Sequence, residues 1–220
     1  MSIKDNLKNI KSRIPENVTL VAVSKTKPVS DLMEAYNTGQ RIFGENKIQE
    51  MADKHAEMPK DIEWHMIGHV QRNKVKYMAE FVSLIHGVDS FKLLREIDKQ
   101  AKNHNRTIDC LLQIKIAEED SKFGMSVSDA SALLQSNEFS ELKNIKVVGL
   151  MGMATFTDNM NQVEKEFKFL NNTFSELKNT NPELKIKSMG MSGDYQLAIA
   201  CGSTMVRVGS SIFGVRNYNN

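Results

Sequence analysis

The stretch TLVAVSKTKPVSDLMEAYNTGQRIFGEN, residues 19–46, contains one complete strand–helix–strand unit. Its first segment, TLVAVSK (19–25), is apolar and rich in β-branched residues, which is typical of a buried strand. The middle segment, SDLMEAYNTG (30–39), is amphipathic, and Ser30 is its predicted N-cap. RIFGEN (41–46) reads as the next strand. The unit therefore predicts two parallel strands joined by a helix.

The same alternation continues to the end of the chain. Six further apolar segments read as strands, at residues 63–68, 82–89, 109–116, 147–154, 186–192 and 205–214. Eight strands that alternate with helices predict an α/β fold, a single (β/α)8 TIM barrel. No change in composition marks a linker, so residues 1–220 are expected to form one domain. An open, doubly wound parallel sheet is the structural alternative.

Composition narrows the classes of protein to consider. The 220 residues are 40% hydrophobic and 25% charged, with a net charge of +2, which is ordinary for a globular chain. Nothing in this balance points to nucleic acid or to a membrane surface as a partner. The two cysteines, Cys110 and Cys201, belong to no CxxC pair and do not suggest a disulfide scaffold. We therefore expect a cytoplasmic protein without a metal site.

Lys25 closes the first predicted strand, and active sites of such barrels lie at the carboxyl ends of the strands. One interpretation is a lysine that extends into solvent. The other is a lysine that forms a Schiff base, with its pKa lowered by partial burial and by the neighbouring Lys27. If the strand continued, the two lysines would share a face. A lysine at this position is equally compatible with a class I aldolase and with a pyridoxal phosphate protein.

The last two predicted strands offer a candidate anion site. Arg207 interrupts the apolar strand, and Gly209 and Ser210 follow it. Small residues here can turn backbone N–H groups towards an anion, and barrels commonly bind phosphate in the loops after strands seven and eight. Ser192 supplies the strand-seven part, and Asp194 is the predicted cap of the helix that follows. A salt bridge of Arg207 across the barrel mouth is the structural alternative.

His65 and His69 are four residues apart, a spacing that can suggest a metal site. They lie on a strand and its following loop, so they do not share a helical face, and metal binding is disfavoured. The sequence has no Walker A or GxGxxG motif, so nucleotide binding has no signature either.

Several of these segments together resemble the pyridoxal phosphate homeostasis proteins. The resemblance covers nearly the whole chain in the family's order. It is carried by AVSKTKP (22–28), FGENKIQE (43–50), EWHMIGHVQRNK (63–74), SKFGM (121–125), GLMGMA (149–154) and MGMSGDYQLAIACGSTMVRVGSSIFG (189–214). The resemblance implies a barrel like the N-terminal domain of alanine racemase, with pyridoxal 5′-phosphate (PLP) as the cofactor.

The resemblance also implies roles for individual residues. Lys25 is the expected Schiff-base lysine, and Arg207 is similar to the arginine that faces the pyridine nitrogen. Asn46 is expected to line the ring. The remaining implied contacts are Ser192, Gly209 and Ser210 with the phosphate, and Lys27 and Lys122 in PLP exchange.

These features favour a PLP carrier over an enzyme. An arginine opposite the pyridine nitrogen leaves the ring largely unprotonated and a weaker electron sink. Proton transfer at an amino-acid Cα also needs a second acid or base besides the lysine. A loop tyrosine such as Tyr195 is the one candidate for that role. We expect a monomer that lacks the second domain of the racemases. We expect this protein to buffer PLP and to deliver it transiently to apo-enzymes. A small amino-acid racemase and a class I aldolase are the alternatives.

Overall fold

The computed structural model describes residues 2–119 and 123–214, and its eight strands form a closed parallel barrel. Each strand pairs with the next along the chain, and β8 pairs with β1. The closed ring confirms the barrel prediction and excludes the open sheet. The strands are β1 Thr19–Val23, β2 Ile42–Glu45, β3 Glu63–Met66, β4 Val82–Val88, β5 Ile108–Gln113, β6 Ile145–Met151, β7 Ile186–Ser188 and β8 Met205–Val208.

Helices connect the strands and surround the barrel. They are α1 Ile3–Lys11, α2 Val29–Asn37, α3 Ile48–Glu57, α4 Phe91–Asn103, α5 Val127–Gln135, α6 Asn137–Ser140, α7 Met160–Thr180, α8 Tyr195–Ala200 and α9 Ser210–Phe213, with a 3-10 helix at Arg72–Tyr77. One face of α7 is buried at helical spacing and anchors this long helix on the sheet; its apolar residues are Val163, Phe167, Leu170, Phe174 and Leu177. None of the helices in these described ranges has the length and apolar character needed to cross a bilayer.

Each strand ends one to six residues before its predicted end, and the start of α2 also differs. Helix α2 begins one residue before Ser30, and its N-cap is Pro28, because proline already holds the backbone angle that a helix start requires. The strand predicted over 205–214 ends at Val208. Gly209 leaves the extended conformation, and its carbonyl accepts the N–H groups of Ile212 and Phe213, so the apolar residues there form a buried helical turn.

A small apolar cluster, separate from the main core, packs on the barrel strands. It consists of Val21, Leu84, Leu111, Met151 and Met205. Buried polar side chains also occur on the strands, among them His65, His86, Ser188 and Arg207. A group of this kind is retained in a core only when it has hydrogen-bond partners. Those partners are described with the site.

Candidate functional site

A cavity of about 520 Å³ opens where the loops that follow the strands converge. The predicted site residues within the described ranges come together in it, although they lie up to 185 residues apart in the chain; its lining includes Lys25, Lys27, Asn46, Ser192, Arg207, Gly209 and Ser210. Lys122 lies outside the described residues. The parallel barrel explains the convergence, because it places every strand's carboxyl end at one rim.

The loop after β1 carries two lysines that line the cavity. The prediction that Lys25 ends the strand is wrong by two residues, because β1 stops at Val23. Thr26 then takes a left-handed conformation with φ of 64°, so strand alternation is not what turns Lys25 and Lys27 to the same cavity. The Nζ of Lys27 donates a hydrogen bond of 2.8 Å to the carbonyl of Phe213 and so connects this loop to α9.

A buried ion cluster beneath the loop was missed by the sequence analysis. Lys54 of α3 is buried, and its Nζ lies 2.8 Å from Oε1 of Glu45 and 2.7 Å from Oε1 of Glu50. Its third bond, of 2.8 Å, goes to the carbonyl oxygen of Ser24. Burial raises the pKa of Glu45, and the charge of Lys54 opposes that rise. The cluster joins α3 to the ends of β1 and β2.

Arg207 is the buried cation of the cavity. Its Nη1 donates to Oγ of Ser188 at 2.6 Å, and its Nη2 donates to the carbonyl of Gly152 at 3.2 Å. These bonds use two of the five N–H donors of a guanidinium. Burial lowers the pKa of Arg207 to about 10, and Asp194 acts in the opposite direction. Arg207 therefore remains charged at neutral pH and provides a fixed donor fork.

Behind Arg207, a chain of buried polar groups, which we call the relay, crosses the barrel, and it too was missed. Oγ of Ser188 lies 3.0 Å from Nδ1 of His86, and Nε2 of His86 lies 3.1 Å from Nδ1 of His65. Because Arg207 donates to Ser188, we assign the serine O–H as the donor to His86, whose Nε2–H then donates to His65. Burial lowers the pKa of His65 to about 3 and that of His86 well below its usual range, so both rings are neutral.

The predicted anion site is a pair of loops held together at the cavity wall. The N–H of Gly209 donates to Oγ of Ser192 at 3.1 Å, which joins the loop after β7 to the loop after β8. A Cβ at Gly209 would lie 3.0 Å from the carbonyl oxygen of Val23, so a larger residue would push the two strand ends apart. Ser210, the first residue of α9, lies beside them in the cavity lining and is exposed.

Asp194 is the N-cap residue of α8 by position, as predicted, but its carboxylate does not cap that helix. It accepts the N–H of Met191 instead, at 2.5 Å, and so closes the loop that carries Ser192. Helix α8, which follows Asp194, has six residues. Tyr195 is the first residue of this helix; it is buried and does not line the cavity.

Asn46 follows β2 directly and reaches the cavity beside Gly68. A Cβ on Gly68 would lie 2.4 Å from the carbonyl oxygen of Asn46, so only glycine permits this approach of the two backbones. His69, which follows, is exposed and is not part of the cavity lining. The sequence identified Asn46 but gave no indication of the packing that fixes its position.

The loop between β6 and α7 forms a further wall that the sequence analysis did not assign to the site. Residues 153–158 line the cavity, and Phe156 is 92% exposed at its rim. Glu166 of α7 holds this loop, because its carboxylate accepts the N–H and the hydroxyl of Thr155 at 2.7 and 2.6 Å. These hydrogen bonds lower the pKa of Glu166 despite its burial. The carboxylate of Glu166 on the otherwise apolar face of α7 was the sequence feature that could have identified this wall of the site.

A parallel barrel with a lysine after β1 and a buried arginine on β8 defines the class of alanine racemase-like barrels. Residues 1–217 match the family model described as "Alanine racemase, N-terminal domain". An alanine racemase of Clostridium difficile shares this fold, with a TM-score of 0.77 over 99% of this chain and 58% of its own, at 14% identity.

Closer relatives narrow the class. The "Pyridoxal phosphate homeostasis protein" of Pasteurella multocida is 38% identical over 100% of both chains. The structure of PipY of Synechococcus elongatus "with PLP bound" is 35% identical, with a TM-score of 0.89 over 97% of this chain and 100% of that chain. The chain belongs to the alanine racemase N-terminal domain family and, within that class, to the pyridoxal phosphate homeostasis proteins.

Proposed function

We propose that this protein binds PLP covalently at Lys25 and acts in intracellular PLP homeostasis as a buffer and carrier, without strong catalytic turnover. The observation that carries the proposal is the convergence of two amines, one buried guanidinium and the loop pair of Ser192 and Gly209 in a single cavity. The similar protein PipY has a structure with PLP bound. The relatives' name, a homeostasis protein, also supports a role in holding the cofactor.

The residues present match the groups of PLP one by one. When bound, PLP supplies an aldehyde that condenses with an amine and releases water. Lys25 would provide that amine, and Arg207 would donate to the pyridine nitrogen. Ser192 and Ser210 would donate their hydroxyl groups to the phosphate, and the N–H of Gly209, which donates to Oγ of Ser192 in this structure, would turn to the phosphate as well. Asn46 would line the ring.

The surroundings of Arg207 support binding over turnover. Its guanidinium keeps its proton at neutral pH, so it can donate to a pyridine nitrogen but cannot protonate it. An unprotonated ring is a weaker electron sink for carbanion chemistry than a protonated one. Tyr195, the residue that could have provided a second acid or base, is outside the cavity lining. The racemase alternative is therefore not favoured.

The wider setting is part of the proposal. We infer that residues 1–220 form a single PLP-binding domain, that the protein is a cytoplasmic monomer, and that apo PLP-dependent enzymes are transient partners. The near-neutral net charge of +2 supports a protein that binds neither nucleic acid nor membranes. The open cavity rim supports exchange of the cofactor with other proteins.

The test is covalent trapping of the cofactor. The protein is mixed with PLP, its visible absorption is recorded, and borohydride reduction is followed by peptide mapping. We expect a band that reduction removes and a phosphopyridoxyl group on Lys25. Lys25→Ala should abolish both, whereas the control Lys47→Ala, at an exposed lysine outside the cavity, should retain them.

Three results would contradict the proposal. A label on another lysine would reject Lys25 as the attachment site. The absence of any band with excess PLP would reject PLP binding and favour an aldolase-like barrel. Exchange of amino-acid Cα–H for solvent deuterium that requires Lys25 would show an enzyme instead of a carrier.

A further inference from the structure

The buried ammonium group of Lys54 is bonded to the residues around the proposed attachment site. Lys54 lies on α3, away from the cavity lining, and 6% of its surface is exposed. One of its acceptors is the carbonyl of Ser24, the residue before Lys25. A second acceptor is Glu45, the residue before Asn46, which also accepts the hydroxyl of Ser24 at 2.6 Å. The cluster thus holds the chain immediately before two cavity residues.

The residue after Lys25 is held by the same cluster. Glu50, the third acceptor of Lys54, also accepts the backbone N–H of Thr26 at 2.5 Å. Thr26 has a φ of 64°, a left-handed conformation that costs a β-branched residue energy and persists only where its surroundings impose it. The hydrogen bond from the Thr26 N–H to Glu50 is one observed contact that stabilises this conformation. The other is the turn hydrogen bond of 3.1 Å from the Lys27 N–H to the carbonyl of Ser24, the same oxygen that Lys54 contacts.

Stability alone does not account for this cluster. A buried ion pair loses about as much hydration energy as it gains in attraction, and an apolar residue of similar volume often serves the fold as well or better. The cluster also leaves Oε2 of Glu45 buried with no hydrogen-bond partner. Its distinctive effect is geometric, because both peptide groups that flank Lys25 are connected to one fixed cation.

We propose that Lys54 is a positioning residue that, through Ser24 and through Glu50 and Thr26, sets the direction in which Lys25 enters the cavity. This inference rests on the proposed function, in which Lys25 bonds to PLP. Lys54 itself does not touch the ligand. Its contribution is to keep the loop in the one conformation that presents Lys25, and not the nearby Lys27, to the aldehyde.

The test compares variants at Lys54 with the wild-type protein. Lys54→Met keeps most of the aliphatic stem and removes all three donors, whereas Lys54→Arg keeps the charge and N–H donors. Lys47→Met, at an exposed lysine next to α3, is the matched control. For each protein, the rate and affinity of covalent PLP attachment are measured by absorption, the labelled lysine is mapped after reduction, and the melting temperature is recorded without PLP.

We expect Lys54→Met to lose roughly 10-fold or more in the rate and affinity of attachment and to shift part of the label to Lys27, because misplaced reacting groups lose effective concentration. Lys54→Arg should recover most of this loss, and Lys47→Met should match the wild type. If Lys54→Met does not fold, Glu50→Ala replaces it, since it removes the acceptor of Thr26 and leaves the Lys54–Glu45 pair in place.

The outcomes separate this inference from the proposed function. Wild-type attachment at Lys25 together with unchanged attachment in Lys54→Met and Glu50→Ala would overturn the positioning role. A lower melting temperature with an unchanged rate and labelling site would assign Lys54 to the fold alone and would also overturn it. If the wild-type protein itself forms no adduct, the proposed function fails first.

Discussion

Acid should destabilise this protein through the two buried histidines of the barrel, and His65 allows the size of the effect to be worked out. Its pKa falls from 6.5 to about 3 because the ring is buried. Between these two pH values, His65 is protonated in the unfolded chain but not in the folded chain. Its contribution to the unfolding free energy is therefore fully present above pH 6.5 and is lost as the pH falls towards 3. From pH 8 to pH 5, His65 alone should cost about 2 kcal/mol of unfolding free energy.

The assay is urea unfolding at pH 8, 7, 6 and 5, for the wild-type protein and for His65→Asn. The asparagine Oδ1 can take the place of Nδ1 as the acceptor of His86 but does not titrate. We expect the variant to lose about 2 kcal/mol less than the wild type between pH 8 and pH 5. His104→Asn, which replaces an exposed histidine at the end of α4, should follow the wild type throughout.

Equal losses in the wild type and in His65→Asn would refute this reasoning. So would an NMR titration in which the His65 ring of the folded protein takes up a proton near pH 6.5, because the neutral relay requires that ring to stay unprotonated. Loss of the pH effect in His104→Asn would place its origin at the surface and not in the barrel.

Two further predictions concern the cavity directly. Ser210→Asp should weaken the binding of PLP roughly 10-fold more than the binding of pyridoxal, because the added charge repels only the phosphate. Both affinities are measured by titration. Equal weakening of the two ligands would show that Ser210 does not contact the phosphate. Ser188→Ala should lower the unfolding free energy by about 1–3 kcal/mol, because Arg207 and His86 both lose a buried partner; a urea midpoint equal to that of the wild type would contradict the relay as assigned.

The barrel was predictable from the sequence because its strands are local patterns. Most strands lie within an apolar segment such as TLVAV, and amphipathic segments separate them, so the order of elements alone implies the parallel ring. The strand ends were less accurate. Lys25 and Gly209 follow strands closely, and the apolar pattern cannot tell a strand's last residue from the loop that packs beside it.

The positions of Lys25, Asn46 and Arg207 in one cavity were predictable for a similar reason. A parallel barrel brings all carboxyl ends of strands to one rim, so residue type and position in the alternating pattern are sufficient. The relay behind Arg207 was not predictable, because Ser188 and His86 are 102 residues apart and on non-adjacent strands. His65 was considered with His69 as a weak metal pair, but its partner in the structure is His86.

The charged residues beneath the site did carry a signal in the sequence. Lys54 follows Ile48 and Met51 on the buried face of α3, and Glu166 lies between Val163 and Phe167 on the buried face of α7. Each interrupts an apolar stripe, where a charge is costly unless it is paired. Both are paired with loops that border the cavity, Lys54 with the loop after β1 and Glu166 with the loop after β6. In a barrel whose loops form the site, a charge on the inner face of a helix therefore indicates which loops are held in place.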